Sequence, residues 1–223
     1  MALNVIMLGP PGAGKGTQAE RFAQKHGLPR ISTGDMLRDG INQRLPLALQ
    51  AKDKMDRGEL VDDETMVGIV RERLSRPDTK KGFVLDGFPR TRFQGQALDE
   101  IMAEREDGQL VVVDIVVPEE ELVRRLAARR ICSKCGTNAD SGVSVCQQCG
   151  GTLVPRSDDD ERVVRERLKV YTQQSKPLVE FYRDRPTFRV VDGAQQPDRV
   201  FQQIEAAIQS VLARARHSVG AQG

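Results

Sequence analysis

The segment GPPGAGKGT, residues 9–17, constrains the fold of this chain more than any other. An apolar run at 5–8 precedes it, and good helix formers with apolar residues at helical spacing follow it up to His26. A strand, a glycine loop and a helix in this order are typical of a phosphate-binding loop, because glycines let backbone N–H groups and a helix N-terminus point at phosphate oxygens. Lys15 would then reach the terminal phosphates as a point charge. A plain glycine turn is the alternative, and the complete G-x4-G-K spacing argues against it.

Gly16 departs from the usual form of this loop. A Ser or Thr normally follows the lysine and binds Mg²⁺ through its hydroxyl, whereas here Gly16 and then Thr17 follow. A bound Mg²⁺ must therefore depend on phosphates, waters and another carboxylate. Asp86 is the candidate, because it ends the apolar run 82–85 and the carboxyl ends of parallel strands face the ligand crevice. We predict that Asp86 binds Mg²⁺ through water; a solvated turn aspartate is the alternative.

The pattern along the chain predicts an α/β fold. Short apolar runs predict strands at 5–8, 30–32, 82–85, 110–117 and 188–191, and helical patterns cover 34–57 in pieces, 62–75, 91–105, 119–130, 160–184 and 197–215. Strands that alternate with helices form a parallel sheet covered on both faces. Two stretches interrupt the alternation, a helical one at 34–75 and a turn-rich one at 131–156. We expect both to be excursions from one core sheet, and the polar tail 217–223 to be frayed.

Composition narrows the class of protein. The 34 basic and 32 acidic residues leave a net charge of only +2, which argues against a nucleic-acid binder, and 39% hydrophobic with 30% charged residues is typical of a soluble globular protein. No segment approaches the roughly 20 apolar residues of a membrane span. The chain runs from Met1 into the first strand without a leader pattern. We expect a cytoplasmic protein that contacts neither membrane nor nucleic acid.

The four cysteines predict a metal site. Cys132, Cys135, Cys146 and Cys149 form two CxxC pairs ten residues apart, each followed by glycine. Four thiolates in this pairing suit a closed tetrahedral Zn²⁺ site of structural type. The gap is shorter than the usual 15–20 residues or so, and a tight hairpin could bridge it. Redox-active CxxC pairs are the alternative, which the presence of two adjacent pairs disfavours.

Arginines are concentrated near the predicted ligand crevice and around the cysteines. Arg90 follows Asp86 within reach of the same phosphates, and Arg38 lies in the first turns of a helix whose cap oxygen comes from Ser32 or Thr33. The segments beside the cysteines carry Arg124, Arg125, Arg129 and Arg130 before them and Arg156, Arg162, Arg165 and Arg167 after them. A solvated charged helix explains each of these separately. Together they suggest a lid that closes positive charge over phosphates.

Taken in order, GPPGAGKGT, ISTGDMLR, DGFPR with Gln94, RRIC, the DD-R-R stem and VVDG at 190–193 resemble the adenylate kinase family, in its long form with a zinc-bearing lid. The resemblance covers the chain up to about residue 215. It implies a P-loop nucleoside monophosphate kinase core with a five-stranded parallel sheet, a helical AMP-binding flap and a zinc-bearing lid. The implied boundaries are core at 1–31, 62–127 and 162–216, flap at 32–61, lid at 128–161 and tail at 217–223.

The resemblance also implies functional residues. The catalytic set is Lys15, Arg90, Arg129, Arg156 and Arg167. The ATP site comprises Gly12, Ala13, Gly14, Lys15, Gly16, Thr17, Arg125, Arg129, Asn138, Ala139 and Gln195. The AMP site comprises Thr33, Arg38, Glu59, Leu60, Val61, Gly87, Phe88, Pro89, Arg90, Gln94, Arg156 and Arg167. The chain departs from the family at Asn138 and Ala139, where an aromatic residue and its neighbour are common, and at Gln195, where lysine is frequent.

The activity that the resemblance implies is reversible, Mg²⁺-dependent, in-line transfer of the ATP γ-phosphoryl group to AMP under a closing lid, giving two ADP. The implied protein is a monomer with a structural Zn²⁺. Two classes of alternative remain at this point. One is a kinase for another nucleoside monophosphate, such as UMP or CMP. The other is a protein without turnover, either a nucleotide-binding switch or a zinc-ribbon interaction module on a nucleotide-binding core.

Overall fold

The structure is a computed structural model that describes residues 2–105, 108–139 and 142–220. Its strands are β1 (Leu3–Leu8), β2 (Arg30–Ser32), β3 (Gly82–Asp86), β4 (Leu110–Val116), β5 (Arg130–Cys132), β6 (Leu153–Pro155) and β7 (Phe188–Asp192). Five of them form one parallel sheet in the order β2-β3-β1-β4-β7. The predicted five-stranded parallel sheet is therefore confirmed, with strand ends within two residues of those expected.

The helices are α1 (Lys15–His26), α2 (Thr33–Asn42), α3 (Pro46–Asp56), α4 (Asp63–Leu74), α5 (Arg92–Arg105), α6 (Glu119–Ala128), α7 (Glu161–Val170), α8 (Lys176–Arg183) and α9 (Pro197–Gly220). A π-helical turn, Tyr171–Ser175, divides the helical segment expected at 160–184. Helix α9 continues beyond the expected end at 215 and past the start of the expected tail, of which 221–223 lie outside the described residues. Within the described chain, none of the helices combines the length and the apolar run that a bilayer crossing needs.

The sheet is buried on both faces, which explains why its strands are continuous apolar runs. Successive residues of β4 point to opposite faces, so that Val113 packs with Phe22 of α1 and Ile204 of α9, while Val112 packs with Leu98 of α5 and Leu178 of α8. All of these side chains are at most 1% exposed. The two apolar layers hold the carboxyl ends of β1, β3 and β4 at one edge, where the glycine loop and Asp86 lie.

Two excursions leave this core at the same edge. Helices α2 and α3 form the first, and they approach closely because a Cβ on Gly40 would lie only 2.6 Å from the Cβ of Ala48. The second is built on β5 and β6, which pair antiparallel with Ile131 opposite Val154. These elements fall within the segments expected to form the flap, 32–61, and the lid, 128–161. The exact domain boundaries stay predictions.

Candidate functional site

The glycine loop turns sharply between β1 and α1. Gly9, Gly12 and Gly14 have positive φ values of 133°, 86° and 90°, which other residues rarely adopt. A Cβ on Gly12 would lie 3.0 Å from the carbonyl oxygen of Leu122, so the loop packs directly against α6. Gly14 caps α1 without a side-chain hydrogen bond. The first N–H groups of α1 therefore keep their donor capacity for an anion.

Lys15 lies over the loop that precedes it. Its Nζ donates hydrogen bonds to the carbonyl oxygens of Gly9 and Pro10, both at 2.8 Å. Burial, opposed by the Asp86 carboxylate and reinforced by Arg90 and Arg167, lowers the pKa of Lys15 to about 7. A phosphate at the loop would bring the negative charge that favours the ammonium form.

Asp86 lies beside the loop, as predicted, but it has a partner that the sequence did not suggest. Arg30 Nη2 donates to Asp86 Oδ2 at 2.7 Å and also contacts Asp35 Oδ2 at 2.9 Å. A Cβ on Gly16 would lie 3.2 Å from Asp86 Oδ2 and 3.3 Å from Arg30 Nη2. Gly16 thus leaves room for this ion pair where a Ser or Thr side chain would crowd it. Arg30 belongs to no motif, and its only signal is its position at the start of a strand beside β3.

A cavity beneath the flap brings together most of the residues predicted for AMP; we call it the flap cavity. All of that set line it except Phe88, which is buried in the core, and Pro89, which lines a neighbouring cavity. The lining also includes residues that the sequence reasoning missed, namely Gly34, Leu37, Met55, Gly58, Met66 and Asp158. The apolar members would pack against a flat ring, and the arginines would face its phosphate.

The floor of the flap cavity is tied together through one carbonyl. Thr33 Oγ1 and Arg90 Nε both donate to the carbonyl oxygen of Gly87, at 2.9 and 2.8 Å. Gly87 has a φ of 81°, and a Cβ there would lie 3.0 Å from Arg90 Nη2. The start of α2 and the loop after β3 are thereby joined, which fixes the guanidinium of Arg90 between the flap and the phosphate loop.

The three predicted lid arginines do converge, and two aspartates hold them. Arg129 binds Asp159 through Nε and Nη2, at 2.6 and 2.5 Å. Arg156 Nη2 donates to Asp158 Oδ2 at 2.9 Å, and Arg167 Nη1 to Asp159 Oδ1 at 3.0 Å. In the sequence these two acids stood out only as part of the DD-R-R stem. Arg156 and Asp158 are only two positions apart, whereas Asp159 pairs with arginines 30 and 8 positions away, and those pairs depend on tertiary packing.

The cleft keeps its cations close together, and three of them, Lys15, Arg156 and Arg167, are partly shielded from water. Burial lowers the pKa of Arg156 to about 9, and Arg38 and Arg129 add to the effect. The pKa of Arg90 falls to about 10 for the same reason, with Arg167 as its main cationic neighbour, although solvent still reaches the side chain. Burial alone would raise the pKa of Asp158, but Arg167 and Arg156 hold it below its ordinary value. Such a site favours a ligand with several negative charges.

A second cavity adjoins the flap cavity on the side of the phosphate loop; we call it the loop cavity. Gly9, Pro11 and Lys15 line it together with Tyr171 and Ser175 of the π-helical turn. It has five lining residues in common with the flap cavity: Gly58, Leu60, Gly87, Arg90 and Arg167. The two cavities therefore share the guanidinium groups of Arg90 and Arg167.

The remaining residues predicted for ATP lie outside both cavities. Arg125 Nε donates to Glu121 at 2.7 Å, and Gln195 Nε2 donates to Asp192 at 3.0 Å. The N–H of Ala194 and the side-chain amide of Gln195 lower the pKa of Asp192, and the charge of Arg125 adds to this. Asn138 bridges to Ile131 in the lid, and the N–H of Ala139 donates to Arg130 at 3.0 Å. These two serve the lid hairpin.

The four cysteines come together in the lid with their Sγ atoms within 4.8 Å of one another. The two CxxC turns have the same geometry: the N–H of Gly136 donates to Cys132 O at 2.9 Å, and that of Gly150 to Cys146 O at 2.8 Å. Both glycines have positive φ values, 72° and 69°. Backbone N–H groups of residues 134 and 135 also point at Cys132 Sγ, at 3.4 and 3.5 Å. Four soft thiol ligands in one cluster could hold a metal ion.

Comparison with known proteins agrees with this site. The family model for adenylate kinase matches residues 7–187. An adenylate kinase of Archaeoglobus fulgidus is 47% identical over 215 residues, covering 94% of this chain and 99% of the relative. One from Geobacillus sp. (strain WCH70) is 48% identical, covering 91% and 96%, and one from Syntrophobacter fumaroxidans is 45% identical, covering 92% and 100%. With the family model matched over most of its length and relatives this similar, the chain belongs to the adenylate kinase family.

Proposed function

We propose that this member of the adenylate kinase family transfers the γ-phosphoryl group of ATP to AMP, reversibly, giving two ADP. The observation that carries the proposal is the pair of adjoining cavities that meet at Arg90 and Arg167. A nucleotide switch needs one phosphate site. A transferase needs a donor and an acceptor phosphate aligned within contact, and a cation that touches both.

The proposed mechanism relies on alignment and charge. The acceptor oxygen of AMP is already an anion, so no general base is required. The N–H groups of the loop and Lys15 would hold the donor phosphates, and Arg38 and Arg156 would hold the acceptor phosphate. Arg90 and Arg167 would stabilise the charge on the group in transit, with Arg129 closing from the lid. Since Asp158 and Asp159 already orient Arg129, Arg156 and Arg167, little reorganisation of these side chains is needed when the phosphates arrive.

Two metal ions belong to the proposal. Asp86 would hold Mg²⁺ through water at the mouth of the phosphate loop, where its buried carboxylate adjoins Gly16. When bound, Mg²⁺ neutralises charge on the β- and γ-phosphate oxygens. A structural Zn²⁺ would be held by Cys132, Cys135, Cys146 and Cys149. Four thiolates suit this ion, and a backbone N–H group already donates to the sulfur of Cys132.

The finer assignments stay predictions of this proposal. Arg125 and Gln195 would contact the ATP base, and Asn138 and Ala139 would contact it from the lid when the lid closes. The flap at 32–61 and the lid at 128–161 would move relative to the core. A monomer in the cytoplasm is expected, which sedimentation and cell fractionation can check.

An acceptor panel tests the proposed reaction. The protein is incubated with ATP, Mg²⁺ and AMP, CMP, UMP, GMP or no acceptor, and ADP is measured. ADP formed with AMP, two for each ATP consumed, supports the proposal. A pyrimidine preference would change the acceptor, and no acceptor-dependent turnover would favour a switch or an interaction module.

The two-cavity mechanism needs a separate test, with Arg90→Ala. The variant is expected to lose roughly 10³-fold or more in kcat, since an arginine at such a transition state contributes about 10³–10⁵. Arg92→Ala is the control, because Arg92 is exposed two positions away and contacts only the ring of Phe181, 5.7 Å distant, among the contacts described for it. Turnover by the Arg90 variant at a near-normal rate would exclude the mechanism.

A further inference from the structure

The side-chain amide of Gln94 is held at both of its polar atoms. Gln94 lies in the first turn of α5, lines the flap cavity and is only 2% exposed. Its Oε1 accepts the backbone N–H of Arg90 at 2.7 Å, and its Nε2 donates to Asp63 Oδ1 at 2.8 Å. Since a backbone N–H can only donate and a carboxylate can only accept, these partners determine which end of the amide is oxygen.

Asp63 is itself fixed in position. It is the first residue of α4 and is absent from the lining of the flap cavity. Its second oxygen, Oδ2, accepts the hydroxyl proton of Thr91 at 2.9 Å, while that hydroxyl accepts the N–H of Gln94 at 3.2 Å. A turned amide would place Oε1 against the Asp63 carboxylate and Nε2 against the Arg90 N–H. Both contacts would be repulsive, so the Gln94 amide has one orientation.

The fixed amide offers a ligand one remaining N–H and one remaining lone pair on Oε1. A 6-aminopurine presents an acceptor at N1 and a donor at its amino group, which complement that pair. A 6-oxopurine presents a donor at N1 and an acceptor at O6, so it would meet donor with donor and acceptor with acceptor. A freely turning amide would suit either base, whereas this one suits only the first.

We propose that Asp63 is a positioning residue that determines base selectivity in the flap cavity. It holds the Gln94 amide in the orientation that accepts a 6-aminopurine monophosphate and rejects a 6-oxopurine monophosphate. The inference rests on the proposed function, in which AMP occupies this cavity. It extends that function, because it assigns the choice of base to a carboxylate that acts through Gln94.

The test compares AMP with IMP, two acceptors of nearly the same shape that differ in their donor and acceptor pattern at N1 and C6. In Asp63→Asn the new amide can present either its oxygen or its NH2 group, so the variant removes one of the two repulsions that oppose a turned Gln94; the N–H of Arg90 remains the other. The ratio of kcat/KM for AMP over IMP is expected to fall by about tenfold or more, with KM for ATP unchanged, because sites that hydrogen-bond a substrate discriminate strongly. The Gln94 side-chain NH2 resonances should be sharp in the parent protein and broadened in the variant.

Asp62→Asn is the matched control. Asp62 caps the same helix by accepting the N–H of Thr65 at 3.1 Å, and no contact with Gln94 is among those described for it. Its AMP-to-IMP ratio should equal that of the parent. If Asp63→Asn does not fold, Thr91→Val keeps the carboxylate but frees it to turn, and a smaller fall in the ratio is expected.

Two failures are distinguishable. A parent protein that does not phosphorylate AMP overturns the proposed function. A parent that selects AMP, with Asp63→Asn and Thr91→Val losing activity on AMP and IMP in parallel at a constant ratio, overturns only this inference and leaves Asp63 a structural residue.

Discussion

Three basic side chains in the cleft have lowered pKa values, which an anionic ligand would raise. Lys15 has a pKa near 7, and Arg156 and Arg90 have pKa values of about 9 and 10, because burial and neighbouring cations disfavour their charged forms. Phosphate oxygens would replace the missing negative charge and raise all three values. Nucleotide binding at the phosphate loop should therefore be linked to proton uptake.

The linkage predicts a pH dependence with a definite sign. At about pH 8.5, Lys15 of the free protein is mostly neutral, so binding of ATP with Mg²⁺ should take up close to one proton; at about pH 6 it is already charged and uptake should vanish. Affinity should fall as pH rises above 7, by at most about tenfold per pH unit. Calorimetry in buffers of different ionisation enthalpy measures the uptake. In Lys15→Arg most of the uptake should disappear, with a small remainder from Arg156 and its pKa of about 9; equal uptake in both proteins would refute the assignment to Lys15.

Two glycines of the phosphate loop, Gly12 and Gly14, differ in how closely they pack against α6. Gly12→Ala combines a left-handed φ of 86° with a Cβ 3.0 Å from Leu122 O and from Leu126 Cγ, whereas Gly14→Ala has a similar φ of 90° and no atom within 4 Å. Both changes strain the backbone, and only the first pushes against α6. The Gly12 variant should lose about 1–3 kcal/mol more in the free energy of unfolding, as overpacking costs. Urea denaturation measures the difference, and equal losses would show that α6 does not constrain the loop.

At the scale of elements, the lid has little apolar material of its own. Its strands β5 and β6 have three residues each, and of its four clustered cysteines only Cys132 and Cys146 are buried. A segment this small cannot stabilise itself by hydrophobic burial. Its fold should therefore depend on the metal, whereas the sheet and its helices should not.

This dependence predicts separate behaviour of lid and core. Metal analysis should find one Zn²⁺ per chain, and Cys132→Ser or a strong chelator should lower the melting temperature and kcat, since structural zinc contributes about 10–16 kcal/mol in small modules. Lys134→Ala is the control, because Lys134 is exposed in the same turn and all four thiols remain. An unchanged melting temperature with no bound metal would contradict the prediction.

Element boundaries could be predicted where a pattern is local and long enough. The apolar runs of the sheet and the helix starts at Pro118 and Pro197 were placed correctly because periodicity and capping chemistry are visible in sequence. The strands β5 and β6 were not predicted, since they are short and lie in or beside the turn-rich stretch around the cysteines. The π-helical turn was not predicted either, because the sequence of residues 171–175 is compatible with an ordinary α-helix.

At the scale of the whole molecule, sequence motifs identify residues but not their partners. The loop, Asp86, Arg90 and the cysteines were found because their spacing in sequence is short. Arg30, which binds Asp86 56 positions away, and Asp63, which holds Gln94 31 positions away, have no local signal. Such pairs follow from which strands and helices adjoin, so they required the fold. They are also the contacts that give each functional side chain one orientation.

Gly58 lies where the flap approaches α7, and it lines both cavities. It follows α3 with a φ of 78°, and a Cβ there would lie 2.9 Å from Arg167 Cγ and 3.0 Å from the carbonyl oxygen of Val163 on α7. Gly58→Ala should therefore hold the flap away from α7 and displace Arg167. KM for AMP should rise about tenfold and kcat should fall, since misplacement of about 1 Å can cost as much as 10²-fold. KM for ATP should rise less, because Gly58 and Arg167 also line the loop cavity but Lys15 and the loop glycines are not displaced.

Gly68→Ala is the matched control for this variant. Gly68 is exposed within α4, and a Cβ there meets no atom within 4 Å. Alanine should stabilise that helix by about 0.5–1 kcal/mol and leave both KM values unchanged. Steady-state kinetics with each substrate varied separate the two glycines. If Gly58→Ala raised both KM values equally, Gly58 would be a general folding determinant, and the close approach of the flap to α7 would not serve the acceptor site in particular.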